Sequence, residues 1–166
     1  MKNRCLLHVD DDEDDVIFLA LAAEDVGIIN PIKVARDGQE AIDFLKAAVQ
    51  QEKSKEPALP CLVLLDLKLP LVMGSDVLRW IRQQPELCKV PVLILSASDH
   101  PSDLEQARAL GADAYFIKPC KLDDRTAFAR QLRLWLLNQG RLPECPAWHL
   151  KNIDVAGNST RPHQPT

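Results

Sequence analysis

No stretch of the 166-residue chain is apolar for long enough to cross a membrane, and the N-terminus, Met1-Lys2-Asn3-Arg4, leads into a short strand-like segment without the apolar h-region of a secretion signal. The sequence therefore predicts a cytoplasmic protein with no membrane partner. Positive charge is not in surplus: 20 Lys and Arg against 24 Asp and Glu give a net charge of −4, which leaves no basic surface suited to nucleic acid. Paired cysteine motifs are missing as well. Cys5, Cys61, Cys88, Cys120 and Cys145 are odd in number and widely scattered, without a C-x-x-C or a nearby His at ligand spacing, so they read as reduced thiols, most of them packing residues. There are no internal repeats. With 46% hydrophobic and 27% charged residues, the composition is that of an ordinary globular protein, and the length suits one domain with a proper core.

The most informative stretch runs from Cys61 to Gly74, C-L-V-L-L-D-L-K-L-P-L-V-M-G. Leu62 to Leu65 are apolar on every residue, the pattern of a central parallel strand covered by helices on both faces. Asp66 ends that run, and the chain breakers Pro70 and Gly74 follow. Ligands of open α/β sheets bind at the carboxyl ends of the strands. Asp66 is thus placed either for function or to cap the following turn, and the other strand ends decide between the two.

Cys5 to Val9 is a short apolar strand interrupted by His8, and it runs into six consecutive acids, Asp10 to Asp15. Asp12 as N-cap with Asp15 three residues later, near the positive end of a helix dipole, accounts for Asp12 to Asp15. Asp10 and Asp11 lie at the strand end instead and suggest a cation site. The helix, with Val16, Leu19, Ala20 and Ala23 on one face, stops at Gly27. Ile32 to Ala35 is a second strand. Asp37-Gly38-Gln39-Glu40 forms a capping box before Ala41, Ile42, Leu45 and Val49, and Gln50 to Pro60 is a polar loop or frayed helix end. After the central strand, Ser75 can cap a helix carrying Val77, Leu78 and Ile81 that must end before Pro85. Val90 to Leu95 is a strand ending in Ser96, Ser102 to Glu105 is a second capping box opening a helix that closes at Gly111, and Ala114 to Ile117 is the fifth strand, ending in Lys118-Pro119. A last helix spans Leu122 to Asn138. Five strands alternating with five helices make βαβ units and a parallel α/β sheet. Residues 1–139 form this unit. Residues 140–166, punctuated by Pro143, Pro146, Pro162 and Pro165, lack periodicity and read as a largely disordered tail.

In a parallel sheet all carboxyl ends share one edge, so Asp10, Asp11, Asp66, Ser96 and Lys118 converge. Two bare carboxylates ~4 Å apart repel by ~4 kcal/mol at an effective dielectric of about 20. A divalent cation removes that repulsion, and an all-oxygen set suits Mg²⁺, which bridges carboxylates to phosphate oxygens. Lys118 and the Ser96 hydroxyl can meet the remaining phosphate oxygens.

With these residues in order, Cys5 to Asn138 resembles the CheY-like receiver domain of two-component response regulators. The resemblance implies a flavodoxin-like doubly wound sheet of strand order 2-1-3-4-5. It matches Asp10 and Asp11 to the acidic pair, Asp66 to the phosphoacceptor of D-x-x-x-P-x-x-x-G, Ser96 to the Ser/Thr, and Lys118 to the Lys before a proline that is typically cis. Lys68 falls where a main-chain carbonyl completes the metal shell, and Tyr115 matches the switch aromatic that swings inward after phosphorylation. The implied reaction is phosphotransfer from a sensor histidine kinase to Asp66, with Mg²⁺ and Lys118 neutralising a loose phosphoryl transition state. Signalling then proceeds by altered affinity for a downstream protein, with no enzyme activity beyond the domain's own phosphorylation and slow dephosphorylation. D-L-K-L-P, P-E-L-C-K-V-P and the loop at Gln50 to Pro60 resemble the stand-alone receivers that serve phytochrome-type kinases.

Two other readings stand beside this one. A Mg²⁺-dependent phosphohydrolase of the haloacid dehalogenase type uses D-x-D at its nucleophile, and Lys68 occupies the second position here. A receiver-like module that binds partners without phosphorylation fits poorly with five intact chemical positions. In the last helix Phe128, Leu132, Trp135 and Leu136 form one apolar face while Ala127, Leu134 and Leu137 form another, which suits a homodimer. Trp80, Trp135 and Trp148 read as packing residues.

Overall fold

The computed structural model describes residues 4–53 and 58–138. Five strands, β1 (Leu6–Val9), β2 (Ile32–Ala35), β3 (Leu62–Leu65), β4 (Val92–Ser96) and β5 (Ala114–Ile117), alternate with five helices, α1 (Glu13–Asp25), α2 (Gly38–Glu52), α3 (Gly74–Gln83), α4 (Pro101–Ala109) and α5 (Leu122–Leu137). The strands form one parallel sheet in the order β2-β1-β3-β4-β5.

The apolar run of β3 is explained by its place in that order, with β1 on one side and β4 on the other. All four of its residues, Leu62, Val63, Leu64 and Leu65, are sealed, because alternate residues enter two different cores. Val63 and Leu65 join Leu7, Val9, Ile94 and Tyr115 under Ala41, Ile42 and Leu45 of α2 and Val77, Leu78 and Ile81 of α3. Leu62 and Leu64 join Leu6, Leu93 and Phe116 under Leu19 of α1 and Leu132 and Trp135 of α5. The period-2 alternation of a strand thus feeds both layers, and neither face meets water.

Helix ends follow local chemistry. Asp12 caps α1 by accepting from the N–H groups of Asp14 and Asp15 at 2.9 and 3.4 Å. At the other end Gly27 has φ +74, and Ile28 N–H returns to the Ala23 carbonyl at 2.8 Å, a left-handed turn that glycine takes without strain. Asp37 caps α2, accepting from Glu40 N–H at 2.7 Å, while the Glu40 carboxylate accepts from Arg36 N–H at 2.6 Å.

Two helix starts differ from expectation. Ser75 lies inside α3, which begins at Gly74 after Met73 without a side-chain cap; the tight approach of the chain to Asp66, described below, fixes that start. Ser102 lies inside α4, where Pro101 takes the first position after His100, its fixed φ favouring helix entry. Likewise β4 begins at Val92 rather than Val90, because Val90 N–H closes a turn onto the Leu87 carbonyl. Of the cysteines, Cys61 is buried and its thiol is pushed up to about 11 by burial, whereas Cys88 and Cys120 are exposed, so they are not packing residues. The polar stretch from Gln50 is helical through Glu52, and residues 54–57, the tail, Cys145 and Trp148 lie outside the described residues.

Candidate phosphoryl-transfer and metal site

Ladder hydrogen bonds carry the register past the strand ends and so set the heights of the polar residues there. Asp10 N–H donates to the Ala35 carbonyl at 3.0 Å, Asp66 N–H to Val9 at 3.0 Å, and Lys118 N–H to Ser96 at 2.8 Å. Asp10, Asp66 and Ser96 are buried, Asp11 is exposed, and ligand oxygens of Asp10, Asp11 and Asp66 lie within 4.8 Å of one another. The three carboxylates at the strand ends therefore lie together.

The Lys118 ammonium holds the cluster together. Its Nζ lies 2.7 Å from Asp66 Oδ2, 2.8 and 3.0 Å from the two oxygens of Asp10, and 3.0 Å from Asp15 Oδ2. Burial works to lower the Lys118 pKa, but hydrogen bonds to Asp10, Asp66 and Asp15 outweigh it, and the group is held well above its ordinary value. Burial also opposes the Asp10 charge, yet the nearby His8, Lys118 and the Asp12 N–H together hold its carboxyl below the usual range. Each key carboxylate is fixed by its own chain: Asp10 Oδ1 accepts from Asp12 N–H and Asp66 Oδ1 from Lys68 N–H, both at 3.1 Å.

The loop after β3 explains the spacing of its motif. A side chain at position 74 would place Cβ 1.9 Å from the Asp66 carbonyl oxygen, so only glycine lets the loop return beside the strand end. Between them Val72 N–H donates to the Pro70 carbonyl at 2.7 Å, and Leu71 at the apex has φ 62, a strained three-residue turn. Leu71 is 84% exposed.

Ser96 Oγ accepts from Ser98 N–H at 3.3 Å, which ties the hydroxyl to the start of the β4–α4 loop. The Tyr115 hydroxyl donates to the Ser98 carbonyl at 2.8 Å, and the residue is 2% exposed. The ring is thus already inward, and the resemblance's picture of a ring that turns in only after phosphorylation does not describe this state. No described peptide bond is cis, so Lys118–Pro119 is trans, the commoner X–Pro isomer.

Three participants were not read from the sequence. Asp15, whose place in the first turn of α1 suits the helix dipole, also reaches Lys118 Nζ at 3.0 Å. His8 is 1% exposed, with Nε2 3.4 Å from Asp10 Oδ2. Arg125 of α5 stacks 3.5 Å over the Phe18 ring and donates through Nε to the Pro119 carbonyl at 3.0 Å, bracing the loop that bears Lys118. For a divalent cation the donor set fits: three carboxylates from Asp10, Asp11 and Asp66 offer hard oxygens, with no thiolate among them.

This fold and this edge are those of a receiver domain, and the chain belongs to the response regulator receiver domain family, whose model matches residues 6–130. It is similar to the probable methanogenesis regulatory protein FilR2 of Methanothrix harundinacea, at 32% identity over 83% of this chain and 86% of that protein. It is also similar to response regulator Rcp1 of Synechocystis, at 29% identity over 84% and 93%. Among solved structures, the Mn²⁺-bound form of Rcp1 superposes with a TM-score of 0.70 at 30% identity, covering 84% of this chain and 99% of that one. The phosphorylated cyanobacterial phytochrome response regulator RcpA gives 0.73 at 27% identity, covering 86% and 99%. Accordingly the protein is a receiver of two-component signalling.

Proposed function

We propose that Asp66 is the phosphoacceptor, that Asp10, Asp11, Asp66 and the main-chain carbonyl of Lys68 hold Mg²⁺, and that Ser96 and Lys118 bind the phosphoryl group. The observation that carries this reading is the Asp66 Oδ2–Lys118 Nζ contact of 2.7 Å beside two further carboxylates. An Asp66 oxygen attacks phosphorus of a kinase phosphohistidine, the P–N bond breaks, the imidazole departs, and an acyl phosphate remains. When bound, Mg²⁺ supplies charge neutralisation for the non-bridging oxygens. Lys118 exchanges its carboxylate contacts for a phosphoryl oxygen, and Ser96 closes from the β4 side. Since Ser96 Oγ and the Tyr115 hydroxyl both engage Ser98, a shift of Ser96 is passed to the β4–α4 loop and to Tyr115, the switch that alters affinity for a downstream protein.

The domain assists its own phosphorylation and slow dephosphorylation and is not a phosphohydrolase, because Lys68 stands where such an enzyme places a second acid. The kinship to the phytochrome response regulator RcpA supports a phytochrome-type sensor histidine kinase as donor, in the cytoplasm; among the described residues no helix is long and apolar enough to cross a membrane. Leu134 and Leu137, 40% and 59% exposed on α5, support a homodimer through that face. The test is intact mass after exposure to acetyl phosphate and Mg²⁺. Wild type gains one phosphoryl group that alkali removes, and Asp66→Asn gains none; equal labelling of the two places the acceptor elsewhere.

A further inference from the structure

His8 is the one polar side chain buried within β1, flanked in register by Val34 of β2 and Leu64 of β3. Neither ring nitrogen has a hydrogen-bond partner, and Asp10 Oδ2 is its polar neighbour, 3.4 Å from Nε2. Leaving a buried polar group unpaired is destabilising, and a valine or leucine would fill this apolar strand without that cost. Asp10 Oδ2 also lacks a hydrogen-bond partner; it lies a little beyond the usual bonding distance from Nε2, and the Lys118 ammonium stands 2.8 Å from it as an ion pair.

We propose that His8 is a positioning residue that holds the Asp10 carboxylate in its metal-binding orientation once Lys118 withdraws from it. The inference rests on the reading of Asp10 as a metal ligand. Lys118 cannot stay on Asp10 and also meet a cation's charge or a phosphoryl oxygen, so Asp10 Oδ2 loses its ammonium partner at the moment Asp10 is needed. A ring with its proton on Nε2 then closes the last few tenths of an ångström from behind, on the side away from solvent. Asp12 N–H holds Oδ1 throughout, at 3.1 Å. Between them the two donors fix both carboxylate oxygens in direction. Partners of this kind behind a ligating carboxylate are worth about 10–100-fold in metal affinity.

The test is calorimetric titration of the full unphosphorylated chain with Mg²⁺ alone, alongside thermal melting. His8→Leu is expected to bind Mg²⁺ about tenfold more weakly, while its melting temperature stays level or rises, because an unpaired polar ring has been replaced by an apolar one. His8→Gln, whose amide N–H reaches the place of Nε2, recovers most of the affinity. A merely packed histidine gives the reverse pattern, with stability lost and affinity kept, and that result overturns the proposal. So does equal weakening in His8→Leu and His8→Gln. If His8→Leu fails to fold, His8→Gln is compared with His8→Asn, whose shorter amide stops short of Asp10, and equal affinities overturn the proposal. Wild type that binds no Mg²⁺ removes the cation site itself, a failure distinct from wild type that binds and variants that match it.

Discussion

Lys118 meets three carboxylates, and only two of them, Asp10 and Asp66, belong to the candidate cation site. Asp15, in the first turn of α1, is the third. When Asp10 and Asp66 turn to a cation, Asp15 remains as the acceptor that keeps the ammonium nearby without competing for the metal ligands. A charge-assisted hydrogen bond of about 1.5 kcal/mol corresponds to roughly tenfold in affinity. Asp15→Asn is therefore expected to weaken Mg²⁺ binding about tenfold when Lys118 is present and by less than about threefold in a Lys118→Ala background, the signature of coupled neighbours. Additive effects in this double-mutant cycle show that Asp15 acts only as a distant charge. The sequence disclosed Asp10, Asp11, Asp66, Ser96 and Lys118 because each interrupts an apolar strand pattern at its end. It hid Asp15, whose role at a helix N-terminus was already sufficient to explain it, and His8, since one histidine inside a strand carries no periodic signal. Its meaning depends on a neighbour two residues along the same strand face.

Local capping chemistry set the starts of α1 and α2, where Asp12 and Asp37 accept from the first turn, and not those of α3 and α4. Asp37 accepts from Glu40 N–H, the Glu40 carboxylate reaches back to Arg36 N–H, and α2 starts as expected. Ser75 offered a cap and Ser102 to Glu105 a capping box, yet the Gly74 approach to Asp66 and the preset φ of Pro101 decided those starts. The end of α2 shows a device that spacing could not reveal. Glu52 Oε2 accepts from Leu59 and Ala58 N–H groups at 2.9 and 2.7 Å, and Oε1 meets Arg4 at 2.5 Å, so the helix end, the entry to β3 and the entry to β1 share one carboxylate. The Leu59 and Ala58 N–H groups, helped by Arg4, hold the Glu52 carboxyl below its ordinary value near 4.5. A depressed folded-state pKa contributes stability that is complete above the unfolded value and is lost as the pH falls through the folded one. Glu52→Gln keeps the shape and removes the charge. Its melting temperature is expected to fall below wild type at pH 7, with the gap narrowing as the pH drops from 4.5 and closing once Glu52 is protonated. A gap that stays constant with pH shows that the charge contributes nothing.

At the scale of the molecule, a parallel sheet needs helices on both faces, and that requirement made the order of elements legible: continuous apolar runs in β3 and β4 have no other use in a chain of this length. The division of the helices was not legible. Which residues of each strand face α2, α3 and α4 and which face α1 and α5 follows from the pleat once the sheet is assembled, and it also aims the strand-end residues. Asp66 continues the Leu62 and Leu64 side, beneath α1, where Asp15 and Arg125 wait. Arg125 and Phe18 then join α5 to α1 across the mouth of the site. All ten described elements and both cores are complete by Leu137, with Trp135 of α5 buried at 4% exposure as the last large contributor. A chain cut after Gln139 is therefore expected to melt within about 3 °C of the full protein, the shift made by roughly 1 kcal/mol in a domain of this size, and to take up phosphate from acetyl phosphate as fully. A much larger fall locates part of the core, Trp148 or Leu150 among it, beyond α5. An unchanged melting temperature with lost phosphorylation instead ties residues 140–166 to the site.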